Sequence, residues 1–204
     1  MQLVFATNNA HKLQEVRQIL PAAYEILSLS DIGFHEDIAE TGTTLEENSL
    51  LKARTVMDRM KATQPERTKN LFGVIADDTG LEVEALNGAP GVYSARYAGE
   101  PTDSANNRRK LLQALLPYPS DQRQARFRTV VTLLRLSGEE VQLEGIVRGS
   151  IAEQEQGNGG FGYDALFIPE GYTRTFAQLT ADEKNNISHR GRAIRQLRNY
   201  LSEL

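Results

Sequence analysis

Hydrophobic residues fall in short runs separated by amphipathic stretches, beginning with Leu3-Val4-Phe5-Ala6. That run predicts a buried strand over residues 3–6. A polar loop, Thr7-Asn8-Asn9, follows it. Leu13, Val16, Ile19 and Leu20 then recur at helical spacing until Pro21 stops them. A second strand is predicted over 24–29. This strand–loop–helix–strand opening indicates an α/β protein. Residues 30–43 form an acidic loop. Thr44 and Glu47 have capping-box spacing, and Leu50, Ala53, Met57 and Met60 give the next helix an apolar stripe to about Lys61. The polar stretch 62–71, with Pro65, predicts a loop.

Residues 72–76 are the most buried-looking strand. Gly80 allows a turn after it, and 81–85 alternates as another strand. Residues 88–91 are a turn and 103–116 a helix. Two apolar runs, 127–136 and 141–147, flank Ser137-Gly138-Glu139-Glu140 as a long hairpin. A glycine-rich stretch at 157–162 precedes a short strand at 165–168. Thr180 with Glu183 repeats the capping-box spacing before a helical C-terminus. There is no internal repeat or low-complexity linker. The expectation is one domain over 1–204, an α/β unit that can be two-lobed around a cleft.

Composition narrows the function classes. Hydrophobic content of 40% and charged content of 25% are ordinary for a globular protein with a sizeable core. A net charge of −4 provides no global attraction to nucleic acid or an anionic membrane. An anionic ligand therefore needs local positive charge or a divalent metal. The chain has no cysteine, which excludes disulfides, thiolate catalysis and thiolate metal sites. No secretory signal is visible at the N-terminus, and no apolar run approaches the ~18 residues of a membrane span. A cytoplasmic location is expected.

Candidate chemistry concentrates in a few strings. Asp77 and Asp78 end the buried run 72–76 and precede Gly80. Adjacent strand residues face opposite ways, so one can meet a ligand while the other pairs with a lysine. A turn-forming Asp pair is the plainer reading; a hard cation held by carboxylate oxygens is the functional one. Glu40, Glu46 and Glu47 are the nearby carboxylates, each also readable as a solvated surface charge. Thr7-Asn8-Asn9-Ala10-His11-Lys12 lies between a strand and a helix, where unpaired N–H groups suit a phosphate. An ordinary Asn-capped helix start is the plainer reading of this segment taken alone. In Gly159-Gly160-Phe161-Gly162-Tyr163-Asp164 the glycines permit close backbone approach, Phe161 can stack on a base and Asp164 can read its edge. A tight loop around a core Phe is the alternative. Lys184, His189 and Arg190 follow. Arg192, Arg195 and Arg198 read as a solvated helical face, and Arg123, Arg126 and Arg128 as unremarkable.

Seven strings in order carry a resemblance. They are Ala6-Thr7-Asn8-Asn9-Ala10-His11-Lys12; Glu40-Thr41-Gly42; Glu47-Asn48-Ser49-Leu50-Leu51-Lys52-Ala53; Ala76-Asp77-Asp78-Thr79-Gly80; Gly88-Ala89-Pro90-Gly91-Val92-Tyr93-Ser94-Ala95-Arg96-Tyr97; the glycine string ending at Asp164; and Leu179-Thr180-Ala181-Asp182-Glu183-Lys184 through Ser188-His189-Arg190-Gly191. With these the chain resembles the inosine triphosphate pyrophosphatase family over nearly its whole length. Asn8 and His11 stand where bacterial relatives often have Gly, and Thr79 where many have Ser.

The resemblance implies an elongated mixed β-sheet flanked by helices, with two lobes around a central cleft. It implies hydrolysis of ITP, dITP and XTP to monophosphate and pyrophosphate, a Mg²⁺ requirement, a homodimer, and removal of deaminated purines before they enter DNA or RNA. Asp78 would be general base and metal contact, with Glu40 the second metal ligand and Glu47 either its rival or a support behind the ligands. Thr7, Asn8, Asn9, Ala10, His11, Lys12 and Thr79 would meet the substrate. So would Phe161, Gly162, Tyr163, Asp164, Lys184, His189 and Arg190. Lys52 would add charge and Asp77 would orient a neighbour. Two other readings are a pyrophosphatase for other modified or pyrimidine nucleotides and a nucleotide- or RNA-binding module without turnover. The acidic balance argues against stable nucleic-acid binding.

Overall fold

A computed structural model describes residues 1–204. The opening follows the hydrophobic pattern: β1 (Gln2–Phe5), α1 (Ala10–Ile19) and β2 (Glu25–Leu27). α2 (Leu45–Thr63) starts on the expected capping box, in which the Thr44 hydroxyl accepts from the Glu47 backbone. Within the stretch expected to be a loop, α3 (Pro65–Thr68) forms one short turn of helix. Pro65 sits in its first turn, where a missing N–H costs nothing and the fixed φ suits a helix. β3 (Leu71–Val83), β4 (Pro90–Gly91), α4 (Ser104–Ala114), β5 (Gln124–Arg135), β6 (Glu140–Ile151), β7 (Phe167–Pro169), α5 (Ala181–Ile187) and α6 (His189–Ser202) complete the order.

The expected α/β mixed sheet is present. Seven strands form one sheet in the order β2-β1-β3-β5-β6-β7, with β4 paired to β3. β1 runs parallel to both β2 and β3, while β3–β4 and β6–β7 are antiparallel. The turn that Gly80 allows does not form, and β3 runs through it unbroken. Leu81 pairs with Gly91 and Glu82 with Pro90, and the Leu81 N–H donates to Ser94 Oγ at 2.8 Å. Those partners keep the chain extended where an isolated Gly reads as a turn. Beyond Val83 the predicted strand gives way to a single 3-10 turn, Glu84–Leu86.

The chain forms two compact units. The first comprises Met1–Asp78, Thr129–Glu144 and Gly191–Leu204; the second comprises Thr79–Arg128 and Gly145–Arg190. In the first unit, two apolar clusters flank the sheet. Val4, Ala6, Val56, Met57, Met60, Val74 and Ala76 pack together, and Leu3, Phe5, Val16, Ile75, Val131, Ile194 and Leu197 form the other. Alternate residues of β1 therefore enter different clusters, as the two-residue strand period requires. In the second unit the core centres on three rings, with Phe127 4.8 Å from Phe167 and Phe167 5.1 Å from Phe176 between centroids. Arg123 departs from its expected surface role. It is buried, and it donates to the carbonyls of Tyr118 (2.9 Å) and Leu115 (3.1 Å), just beyond the end of α4. No helix is long and apolar enough to cross a membrane.

Gly73 shows how tightly the strand carrying Asp77 and Asp78 is held. A Cβ added there would lie 2.6 Å from the Leu134 carbonyl oxygen and 3.2 Å from the Arg135 Cα on β5. Backbone, not a flexible side chain, would have to move. Gly73→Ala is therefore expected to cost about 1–3 kcal/mol, read as a lower urea midpoint with an unchanged slope. A parental midpoint would mean that the strands can part there without penalty.

Candidate active site

The first unit brings carboxylates and lysines together at the end of its part of β3. Asp77 and Asp78 are both buried, and as adjacent strand residues they engage different lysines. Lys12, from the first turn of α1, lies 2.9 Å from Asp77 Oδ1. Lys52, on α2, lies 2.7 Å from Glu40 Oε1 and 3.4 Å from Asp78 Oδ1. One ammonium thus joins the two expected metal-binding carboxylates. Ser49, one turn earlier on α2, fixes that helix to the strand: its hydroxyl lies 3.1 Å from the Ala76 carbonyl oxygen and 2.7 Å from Thr132 Oγ1.

Asp78 Oδ2 is buried and accepts no hydrogen bond. Burial raises the Asp78 pKa above the usual carboxylate value; Lys52 acts against this and Glu40 with it. Burial also works against the charge on Lys52. The carboxylates of Asp78, Asp77 and Glu40 outweigh it and hold the ammonium pKa above its ordinary value. A buried carboxylate with one bare oxygen, beside a second carboxylate and a fixed cation, is suited to meet a divalent ion and to take a proton.

Asn48 belongs to this cluster, although the sequence reading gave it no role. It is fully buried, its Oδ1 accepts the Gly42 N–H at 2.8 Å, and its Nδ2 has no partner. It faces Asp78 and favours its ionised form, though its amide is not aligned for a hydrogen bond. Its position four residues before Lys52 was the available signal, since residues so spaced share a helix face. Glu47 closes the cap of α2: its Oε2 accepts from the Thr43 N–H (2.6 Å) and hydroxyl (2.9 Å). Those Thr43 bonds hold its pKa below the ordinary range.

The expected nest of open N–H groups at the start of α1 is largely filled from within. Asn9 Oδ1 accepts from the His11 and Lys12 N–H groups at 3.0 and 3.3 Å, and the Asn9 N–H donates to Thr7 Oγ1 at 3.1 Å. Asn8, Ala10 and His11 are exposed, and Thr7 and Lys12 half-buried. What this segment offers an anion is side chains more than backbone.

The second unit holds the aromatic cluster. Phe161 is 40% exposed, enough for a flat ligand to reach its ring. Lys184 Nζ lies 4.6 Å and Arg190 Cζ 5.6 Å from the ring centroid. Asp164 Oδ2 accepts from Lys184 Nζ at 2.6 Å and from the Phe161 N–H at 2.7 Å. Gly160 and Gly162 adopt φ of +71° and +59°, and a Cβ on Gly160 would overlap the Asp164 carboxylate. The glycines are therefore required by the loop's own closure. Tyr163 is buried and donates its hydroxyl to the Ser94 carbonyl at 2.9 Å, and burial pushes its phenol pKa up. Its side chain serves the core of this unit. His189 is buried and stacks on Phe127 at 4.6 Å, which is the packed reading of that histidine. Thr79, at the start of this unit's share of β3, is half-buried.

The chain is similar to known proteins over nearly its whole length. The Ham1 family profile matches residues 3–200. The dITP/XTP pyrophosphatase of Porphyromonas gingivalis is 52% identical, with 98% of this chain and 97% of that protein covered. The dITP/XTP pyrophosphatase of Flavobacterium psychrophilum is 49% identical, with 97% of each covered. Among solved structures, the Ham1 protein of Staphylococcus aureus superposes with a TM-score of 0.86 at 39% identity, covering 100% of this chain and 99% of that one. That of Coxiella burnetii superposes with a TM-score of 0.88 at 35% identity, covering 100% of each. The chain belongs to the Ham1 family.

Proposed function

We propose that this protein hydrolyses ITP, dITP and XTP to the monophosphate and pyrophosphate, keeping deaminated purines out of DNA and RNA. The carrying observation is Asp78, a buried carboxylate with one bare oxygen, linked to Glu40 through the Lys52 ammonium. The naming of full-length relatives as dITP/XTP pyrophosphatases supports the same reading.

The donor set suits Mg²⁺. No group of three or more His, Cys, Asp or Glu side chains is placed to enclose an ion. Mg²⁺ commonly uses one or two carboxylates and completes its shell with water and substrate phosphates, and Asp78 with Glu40 meets that pattern. When bound, such an ion polarises the phosphates and offsets charge on the departing pyrophosphate. Asp78 Oδ2 takes the proton of the attacking water as the new P–O bond forms and the anhydride between the first and second phosphates breaks. Lys52 holds Glu40 and Asp78 in place and sets positive charge beside the phosphates. Lys12, anchored by Asp77, presents its ammonium from a partly exposed side chain.

The base falls to the cluster of the second unit. Phe161 stacks on it, which adds affinity for any base. Arg190 or Lys184 donates to the 6-oxo group of hypoxanthine or xanthine, and Asp164 accepts from the ring N–H. Adenine presents the opposite pattern and leaves these groups unpaired, a mismatch that can discriminate by roughly 10⁴. The same reading includes a cytoplasmic homodimer, carried over from the family resemblance.

The test is pyrophosphate release by the purified protein with and without Mg²⁺. ITP, XTP and dITP should turn over well, ATP and GTP poorly, and chelation should abolish the signal. Preference for dTTP or UTP would keep the chemistry and reject the base assignment. Tight nucleotide binding with no turnover would reject the enzyme.

A further inference from the structure

We propose that Arg108 is a positioning residue for base binding, clamping the loop that carries Phe161 from helix α4; this rests on the reading that Phe161 stacks on the substrate's base. Arg108 Nη1 donates to the Gly162 carbonyl at 2.9 Å. Its Nε lies 3.0 Å from Glu155 Oε2, an ion pair whose N–H is not aligned for a hydrogen bond. One guanidinium thus joins the Gly162 carbonyl, just after the exposed ring, to Glu155, just before the loop's base. Its rigid fork allows this double grip, which a lysine cannot copy.

The loop needs such a grip because of how the rest of it is held. Its base is tied by backbone bonds, Gln156 N–H to the Ala165 carbonyl (2.8 Å) and Gly159 N–H to the Ala177 carbonyl (3.1 Å). At its tip, Gly160 and Gly162 are in the left-handed region and have no side chains to pack. The Asp164 N–H donates to the Phe161 carbonyl at 3.1 Å, and two charged side chains add to it, Asp164 on the Phe161 N–H and Arg108 on the Gly162 carbonyl. Asp164 fixes the amide before the ring and Arg108 the carbonyl after it. Together they set where the ring of Phe161 stands. The Arg108 side chain is 19% exposed, against 43% for Glu155, so the guanidinium is the sheltered member of that pair. α4 is capped independently by Asp103, so losing Arg108 leaves the helix start intact.

A double-mutant cycle on the full chain separates a clamp acting through Phe161 from a general structural role. KM and kcat for ITP would be measured for the parent, Arg108→Met, Phe161→Ala and the double variant, with melting temperatures for each. Base–aromatic stacking has a strength that makes about a tenfold rise in KM reasonable on losing the ring's position. Arg108→Met is expected to raise KM about tenfold with kcat and melting temperature close to parental, and to add nothing in the Phe161→Ala background. Arg108→Lys, which keeps a donor for the Gly162 carbonyl, should give an intermediate KM and serves if the Met variant fails to fold. A parental KM in Arg108→Met, with KM raised in Phe161→Ala, overturns the clamp while leaving the stacking reading intact. Equal effects of Arg108→Met in both backgrounds also overturn it, as they mark a role outside the ring. A parental KM in Phe161→Ala rejects the stacking reading itself, and the clamp's function with it.

Discussion

Replacing Asp78 with Asn should lower kcat for ITP by about 10²–10⁴-fold, the range supplied by a positioned general base, while nucleotide binding stays measurable. The same substitution should make the metal-free protein more stable by about 1 kcal/mol, the usual scale on which an active-site group trades stability for function. Both effects come from one arrangement. Asp78 is buried, its Oδ2 is bare, and desolvation raises its pKa. A carboxyl whose folded pKa is raised favours the folded state while protonated, below its unfolded pKa. That contribution is lost as pH rises through the folded value. At neutral pH the ionised group therefore opposes folding, and Asn removes the opposition. The stability gap between variant and parent should narrow as pH falls toward the ordinary carboxylate pKa of 3.8. Urea titrations at several pH values with chelator present, beside single-turnover assays with Mg²⁺, check both. Full turnover in the variant would remove Asp78 from the chemistry. A variant less stable than its parent would show that Lys52 and Asn48 already compensate the charge.

Asp164→Ala should be the more damaging substitution for the fold, costing about 3–5 kcal/mol. Lys184 and Asp164 are both buried and their charged atoms are 2.6 Å apart, so removing the carboxylate strands an ammonium out of water. It also releases the Phe161 N–H from its 2.7 Å bond. The double variant Asp164→Ala/Lys184→Met removes both charges and should recover much of the loss, because a buried pair replaced by apolar groups is often tolerated. Recovery of stability without recovery of ITP affinity is the expected result, since the base-reading groups are then gone. A single variant with a parental denaturation midpoint would show that Lys184 reaches solvent, and that the pair is no more than a surface contact.

This pair also changes how base selection is understood. From the sequence, Asp164 and Lys184 read as separate hydrogen-bond groups, an acceptor and a donor. In the structure they are already joined. A base that uses them meets a held donor–acceptor unit, not two independent side chains, and pre-organisation of this kind lowers the ordering needed on binding.

Much of the molecule was legible in the chain. The period of the apolar residues placed β1, α1, β2 and the hairpin strands. Local chemistry placed both capping boxes, at Thr44–Glu47 and Thr180–Glu183. These are short-range properties: a helix face or a cap is decided within a few residues, so the string of residues contains it. The same holds for Asp77 and Asp78, whose opposite orientations follow from the strand period and whose different lysine partners bear this out.

What failed was long-range. Gly80 reads as a turn in isolation, but pairing with Pro90 and Gly91 keeps β3 extended. Of the two readings of the segment before α1, the Asn-capped start is the one that forms, with Asn9 taking the amides that a phosphate would meet. That the Glu47 cap extends to Thr43, through both its N–H and its hydroxyl, is a matter of side-chain reach that the capping-box spacing does not contain. Asn48 and Arg108 drew no functional reading, because each matters through a partner distant in sequence: Asp78 for one, Glu155 and Gly162 for the other. The sequence by itself determined the fold class and the family, since periodicity and motif order are local or cumulative signals. Tertiary structure alone decided which charges neutralise one another, and which polar atoms are left bare for chemistry. Those depend on distances of a few ångströms between residues tens of positions apart.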